Sequence, residues 1–80
     1  MISQRLKIVI CNELNLNPNL IDLYNNTEAN EIPGWDSLNH ANVIVAIEKN
    51  YELRFTGLEI LKCKNIGDLQ NLIELKIVKS

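Results

Sequence analysis

Apolar residues recur at the spacing of an α-helix in three segments of the chain, and this periodicity restricts the fold more than any other feature. In segment 2–14 the apolar stripe consists of Ile2, Leu6, Val9, Ile10 and Leu14. In segment 37–50 the apolar face, which Tyr51 extends, consists of Leu38, Ala41, Ile44, Val45 and Ile47. In the last segment, which Asn65 is placed to cap, the stripe consists of Ile66, Leu69, Leu72, Ile73 and Ile77. Each segment therefore predicts an amphipathic helix with one buried side.

The remaining segments carry only a short strand-like alternation at 53–55. Residues 15–36 form a long connection without periodicity, in which we predict a helical turn that begins at Pro18. Four of its apolar residues are expected to pack against the helices: Leu20, Ile21, Leu23 and Tyr24. Residues 52–56 predict an extended link with two inward side chains, Leu53 and Phe55. Residues 57–61 predict a short helix with three core-facing side chains, Leu58, Ile60 and Leu61. The predicted fold is all-α, a small antiparallel bundle of three longer helices and one short helix with a long first loop.

The length and composition of the chain limit its possible functions. Eighty residues fit one domain, 1–80, which buries only roughly 60% of the surface of its unfolded chain, so a large enclosed active site is not expected. The net charge is −2 and Lys and Arg are scattered, which argues against nucleic-acid binding. No apolar run approaches the roughly 20 residues of a membrane span, and no signal-peptide pattern is present. We therefore expect a cytoplasmic protein without membrane contact, and a monomer. Cys11 and Cys63 fit no metal-ligand spacing and are expected to be free thiols, with a disulfide between them as the alternative.

Residues 34–40, Gly-Trp-Asp-Ser-Leu-Asn-His, predict a turn followed by a capped helix. Gly34 permits tight backbone geometry, and Asp36 occupies the position of an N-cap. Ser37 then lies in the first helical turn, where unpaired amide groups and the partial positive charge of the helix end favour a phosphate. Ser37 is thus chemically suited to carry a phosphodiester. The alternative is that Asp36 and Ser37 only cap the helix.

Residues 34–38 resemble the Gly-x-Asp-Ser-Leu signature of acyl carrier proteins. The resemblance covers nearly the whole chain, because segments 43–48, 51–55 and 65–69 are similar to the second helix, its exit loop and the start of the last helix in that family. Residues 31–38 look most like freestanding carriers of specialised bacterial pathways. Peptidyl carriers more often have Gly-Gly-x-Ser, so an acyl cargo is favoured over an aminoacyl cargo, which stays open.

The resemblance implies a role for each residue of the signature. Ser37 matches the serine that carries 4'-phosphopantetheine, and Asp36 matches the acid that the modifying transferase contacts. Leu38 matches the apolar residue that borders the arm and contacts partners. The implied partners are a magnesium-dependent phosphopantetheinyl transferase, a loading ligase or acyltransferase, and downstream biosynthetic enzymes. The chain itself would catalyse nothing and hold no metal.

Members of the family also bury apolar cargo between their helices. The residues of this chain that match such a lining are Val43, Ile44, Ile47, Phe55, Ile60, Ile66, Leu69 and Ile73. The alternative is that these residues form ordinary core. The expected partner contacts are Asn39, His40, Asn42, Val45 and Glu48. Fatty-acid carriers have an acidic second helix, whereas the outward positions here include one acid and one base: Asn39, Asn42, Val45, Glu48 and Lys49. This departure favours a dedicated partner over a role in general fatty-acid synthesis, although the chain's Asn-rich composition explains it equally well.

The roles of the two aromatic side chains in the signature region, Trp35 and His40, are less clearly indicated by the sequence. His40 shares a helix face with Ser37, but no acid is arranged to orient it as a base, so we expect a solvent-facing side chain. Trp35 is expected to pack the loop onto the bundle, with a partner contact as the alternative. Two other functions compete with the carrier: an unmodified helical protein–protein interaction domain with the same fold, and a small hydrolase that uses Ser37 and His40.

Overall fold

The computed structural model describes residues 2–79, with side chains described through residue 77. Its helices are α1 (Gln4–Glu13), α2 (Ser37–Tyr51), α3 (Gly57–Leu61) and α4 (Ile66–Lys79), and a 3₁₀ turn covers Ala29–Glu31. No strand occurs within residues 2–79. The predicted fold class, with three longer helices, one short helix and a long first loop, is confirmed. The helical turn predicted at Pro18 is wrong, since only a hydrogen-bonded turn forms there and the helical turn lies at Ala29–Glu31.

Each helix begins at a side chain that accepts an amide hydrogen of its first turn. The four capping residues are Ser3, Asp36, Thr56 and Asn65. The caps at Asp36 and Asn65 confirm the sequence prediction. The predicted start of α1 at residue 2 is wrong by two residues, and the helix begins at Gln4. Ser3 is the cap, because its backbone is extended and its hydroxyl accepts the Leu6 amide.

The core is built from one face of each longer helix, from one residue flanking each end of α1, and from two residues of the first loop. Its buried members are Ile2, Leu6, Val9, Ile10, Leu14, Leu23, Ile32, Val43, Ile47, Ile66, Leu69 and Ile73. All five residues of the predicted α1 stripe are therefore buried. From α2, the buried residues are Val43 and Ile47, which are one helical turn apart and define the face that points at the core.

Several apolar side chains that were expected to face the core are exposed instead. They are Leu20, Tyr24, Leu38, Ala41, Val45, Leu58, Leu61 and Ile77. On α2 the predicted buried face is rotated about the helix axis relative to the observed one. The observed face is centred on Val43 and Ile47, so Leu38 and Val45 point outward. The five-residue helix α3 turns only one side toward the core. Ile60 lies on that side and packs against the core. Leu53 and Phe55 do pack against the core cluster, as predicted.

The first loop is fixed by the amide groups that begin α4. The amides of Ile66 and Gly67 donate to the carbonyl oxygens of Thr27 (2.8 Å) and Asn25 (2.9 Å). Asn65 Oδ1 accepts the Asp68 amide at 2.8 Å, so the amides of the first three residues of α4 are all satisfied from outside the helix. Gly67 permits this close approach, since a Cβ atom there would lie 2.5 Å from the Asn25 carbonyl oxygen.

A second link holds α3 against α4. Lys76 Nζ lies 2.9 Å from Glu59 Oε2, and Glu59 Oε1 accepts the Thr56 amide at 2.8 Å. The hydrogen bond from the Thr56 amide, followed by the bond from Lys76, lowers the pKa of Glu59 below its ordinary value of 4.5. The same carboxylate thus caps α3 and joins it to α4.

Both cysteines are free thiols, as predicted, with Cys11 buried and Cys63 half-buried. Burial raises the pKa of each thiol. Across residues 2–79, no helix combines the length and the apolar character that crossing a membrane requires.

We expect Gly67→Ala to lower the free energy of unfolding by roughly 1–3 kcal/mol, because the new methyl group forces the loop backbone away from α4. Urea unfolding followed by circular dichroism measures this loss. Gly57→Ala is the matched control, since nothing lies within 4 Å of its added Cβ. Equal stability of the two variants would contradict the close contact between loop and helix.

The attachment of α3 is expected to weaken in acid. Because the folded-state pKa of Glu59 is lowered, its contribution is present above the ordinary value of 4.5 and is lost as the pH falls through the folded pKa. Hydrogen exchange of the α3 amides, measured from pH 6 to about pH 3, should show this loss. Glu59→Gln keeps the size of the side chain and should remove the pH dependence specific to α3. The same pH dependence in that variant would assign the effect to other carboxylates.

Candidate functional site

A tight turn sets the direction in which the chain enters α2. Gly34 has a φ of 83°, which a residue with a side chain rarely adopts. Its carbonyl oxygen accepts the Asp36 amide at 3.1 Å and the Asn39 Nδ2 group at 2.7 Å. The Trp35 amide donates to the carbonyl oxygen of the buried Ile32 at 3.2 Å. The turn is therefore fixed to both the core and the first turn of the helix.

Asp36 caps α2 through two acceptors. Its carboxylate accepts the Asn39 amide at 2.8 Å, and its carbonyl oxygen accepts the His40 amide at 2.8 Å. The amides of Ser37 and Leu38 have no acceptor within residues 2–79. Two N–H donors and the positive end of a 15-residue helix thus meet at the start of α2.

Ser37 is exposed at this helix end, and its hydroxyl makes no hydrogen bond within the described part of the chain. A phosphodiester on its oxygen would lie beside the two unpaired amides, and the Asp36 carboxylate is already engaged by the cap. The residues present are therefore compatible with a phosphate-linked group on Ser37. Leu38, the next residue, is 82% exposed, as a residue that borders such a group needs to be.

Trp35 and His40 form a pair next to this turn. Trp35 Nε1 donates to His40 Nδ1 at 3.1 Å, and the ring centroids are 6.1 Å apart. Trp35 packs against the core cluster, which confirms the expected packing of the loop. His40 is half-buried, so the expected solvent-facing position is wrong. Its Nδ1 atom is occupied by the indole rather than by a carboxylate, so the pair lacks the orienting acid of a hydrolytic triad.

A small cavity of about 50 Å³ lies beside the pair, between α2, α4 and the segment that follows α3. Four of the eight predicted cargo-lining residues line it: Ile44, Ile60, Ile66 and Leu69. The other residues of its lining were not recognised from the sequence: Ala29, Trp35, His40, Cys63, Lys64 and Asn65. Most of these lie in turns and links, whose residues carry no periodic signal.

The remaining predicted cargo residues lie elsewhere. Val43, Ile47 and Ile73 are buried within the core, in agreement with the alternative that they are structural. Phe55 lines an open cleft of about 390 Å³ between α2 and α3, which shares His40, Ile44 and Ile60 with the small cavity. We call this second space the α2–α3 cleft.

The predicted partner contacts fall into two groups. Asn42 and Val45 are exposed on α2. Asn39, His40 and Glu48 are half-buried and hydrogen-bonded within the chain, Glu48 to the Phe55 amide at 2.8 Å. The exposed leucines of α3, Leu58 and Leu61, were not predicted as contacts, because the sequence pattern assigned them to the core.

Comparison with known proteins identifies a similar solved structure. No family model matches the chain, and no curated protein matches it. The solution NMR structure of a holo acyl carrier protein from Geobacter metallireducens superimposes with a TM-score of 0.85 at 36% sequence identity. The match covers 94% of this chain and 84% of that chain. With this degree of identity over nearly its whole length, the chain belongs to the acyl carrier protein family.

Proposed function

We propose that this protein carries an acyl group as a thioester on a 4'-phosphopantetheine arm attached to Ser37. The observation that carries the proposal is the exposed Ser37 hydroxyl at the first turn of α2, beside two unpaired amide donors. The similar structure from Geobacter metallireducens is a holo protein, which supports a prosthetic group on this chain as well. An aminoacyl cargo is compatible with the same site.

Attachment would be a phosphoryl transfer from coenzyme A catalysed by a separate magnesium-dependent transferase. The Ser37 oxygen forms a bond to the phosphorus next to the pantetheine, and the bond from that phosphorus to the oxygen bridging the two phosphates breaks. Adenosine 3',5'-bisphosphate leaves, and the hydroxyl proton passes to a base of the transferase or to water. The Ser37 and Leu38 amides are placed to donate to the new phosphodiester.

The arm would supply the thiol that forms the thioester, and the protein would fix the point from which the arm extends. A ligase or acyltransferase would load the thiol, and downstream biosynthetic enzymes would act on the tethered group. Tethering raises the effective concentration of cargo to about millimolar for a short flexible link. We assign catalysis to these partners and place the carrier in the cytoplasm of a bacterial cell, in a specialised pathway.

We expect Ser37→Ala to abolish modification with a change in unfolding free energy below about 0.5 kcal/mol, because Ser37 is exposed and unbonded. Intact mass after incubation with coenzyme A and a broad-specificity phosphopantetheinyl transferase measures the modification. Ser3→Ala is the control, since it removes the other described serine, which caps α1, and should leave the mass gain intact.

Two outcomes would contradict the carrier. A mass gain on Ser37→Ala would place the arm elsewhere. No gain on folded wild-type protein with several transferases, including one encoded beside this gene, would favour the unmodified interaction domain.

We also propose that partner enzymes contact the surface around the α2–α3 cleft. Its exposed side chains are apolar or small, including Ala41, Val45 and Leu61, and its one carboxylate, Glu48, is bonded to the Phe55 amide. A surface with so little free charge selects partners by shape and apolar contact more than by electrostatic steering.

We therefore expect Leu61→Ser to lower kcat/KM of the transferase for this protein, while the fold is unchanged because Leu61 is already 80% exposed. Leu20→Ser is the matched control, since Leu20 is 82% exposed and does not line the cleft. The loss should persist when salt is raised from about 0.01 M to about 0.15 M. Equal rates for the two variants would exclude this surface.

A further inference from the structure

The cavity beside Trp35 is much smaller than a medium-length acyl chain requires. Its volume is about 50 Å³, whereas an apolar protein cavity that binds benzene measures about 150 Å³. By this comparison, with six heavy atoms in benzene, it admits a group of about two heavy atoms. Its apolar side is formed by Ile44, Ile60, Ile66 and Leu69.

Most of this apolar side cannot withdraw without disturbing the fold. Ile66 and Leu69 belong to the core, with exposures of 2% and 4%. Ile60 lies on α3, which the Thr56 cap and the Glu59–Lys76 ion pair hold in place. The cavity can therefore grow most readily on the side of Trp35 and His40, which connects the loop to α2.

The Trp35–His40 pair closes that side by contacts from two elements. The Trp35 backbone is anchored to Ile32, and its indole donates to His40 Nδ1 on α2 at 3.1 Å. Opening the cavity here breaks that hydrogen bond and moves an indole that packs against the core cluster. His40 lies one helical turn after Ser37, so the pair stands close to the proposed attachment point.

We propose that the Trp35–His40 pair limits the cargo that this cavity covers to short acyl groups, with about two heavy atoms beyond the thioester carbonyl. The inference rests on the proposed carrier function and names the substrate class of the same protein. Longer chains gain less burial per methylene group, because the additional groups leave the cavity for solvent or for the open α2–α3 cleft.

The test loads the protein with acyl-phosphopantetheine from acetyl-, butyryl- or octanoyl-coenzyme A, and confirms each species by intact mass. The readout is the midpoint of thermal unfolding relative to the holo protein. We expect acetyl and butyryl groups to raise the midpoint on the order of a few degrees, because a bound group stabilises the folded state. The octanoyl group should raise it no further than the butyryl group.

Variants of Trp35 and His40 test whether the pair sets the preference for short acyl groups. In Trp35→Ala the octanoyl group should stabilise more than the butyryl group, because removal of the indole enlarges the cavity. His40→Ala, which removes the acceptor and leaves Trp35 in place, should shift the preference in the same direction. His40→Asn keeps an acceptor near the position of Nδ1 and should behave like the wild type. Tyr24→Ala is the control, since Tyr24 is a 61% exposed aromatic residue outside the cavity lining.

Three results would overturn the inference. They are an octanoyl group that stabilises the wild type more than a butyryl group, a midpoint that no cargo changes, and a chain-length preference unaffected by Trp35→Ala and His40→Ala. Absence of the mass gain on Ser37 is a separate result and would count against the proposed function itself. Emission from Trp35, the only tryptophan, gives an independent readout in the wild type, since cargo in the cavity changes its surroundings.

Discussion

The amide groups at the start of α4 donate to carbonyl oxygens of the first loop, and the position of that whole loop depends on these bonds. Without them the carbonyls of Asn25 and Thr27, and the amides of Ile66 and Gly67, would need other partners. Thr27, Ile66 and Gly67 are buried, and an unmet buried polar group costs about 1–3 kcal/mol. The bonds hold the middle of a loop of more than twenty residues against the bundle, so Ile32 enters the core and the Gly34 turn delivers Asp36 to the start of α2. The geometry around Ser37 is therefore set by contacts that are distant from it in sequence.

A chain of 80 residues has few side chains with which to build both a core and the proposed cargo site. The core and the cavity are lined by different sides of α2. Val43 and Ile47 face the core with no exposure, whereas Ile44, between them in sequence, lines the cavity and is half-buried. Ile66 and Leu69 serve both purposes, since they belong to the core cluster and to the cavity lining. A cavity that shares its lining with so small a core cannot expand freely without loss of stability, which is a physical reason for cargo size to be restricted in this chain.

The sequence predicted the number, order and approximate bounds of the helices because amphipathic periodicity and capping residues are local signals. The α1 stripe and the caps at Asp36 and Asn65 were recovered for this reason. The buried face of α2 was not predicted correctly. Two overlapping apolar faces are possible there, formed by Val43, Ile44, Val45 and Ile47, and only packing selects between them. The Trp35–His40 bond and the Glu59–Lys76 pair depend on where the loop and α3 settle, and spacing along the chain contains no such information.

The surface near Ser37 differs from one that recruits partners by charge. Leu38, Asn42 and Val45 are exposed without a charge, and the Glu48 carboxylate accepts the Phe55 amide in the link that follows α2. With a net charge of only −2, the chain exerts a weak long-range field on an approaching enzyme. In the proposed carrier, discrimination between partners would then arise at contact distance, from the fit of apolar side chains around the α2–α3 cleft. Discrimination between cargoes in the adjacent cavity likewise depends on fit, so both proposed forms of selectivity rest on packing and should be insensitive to ionic strength.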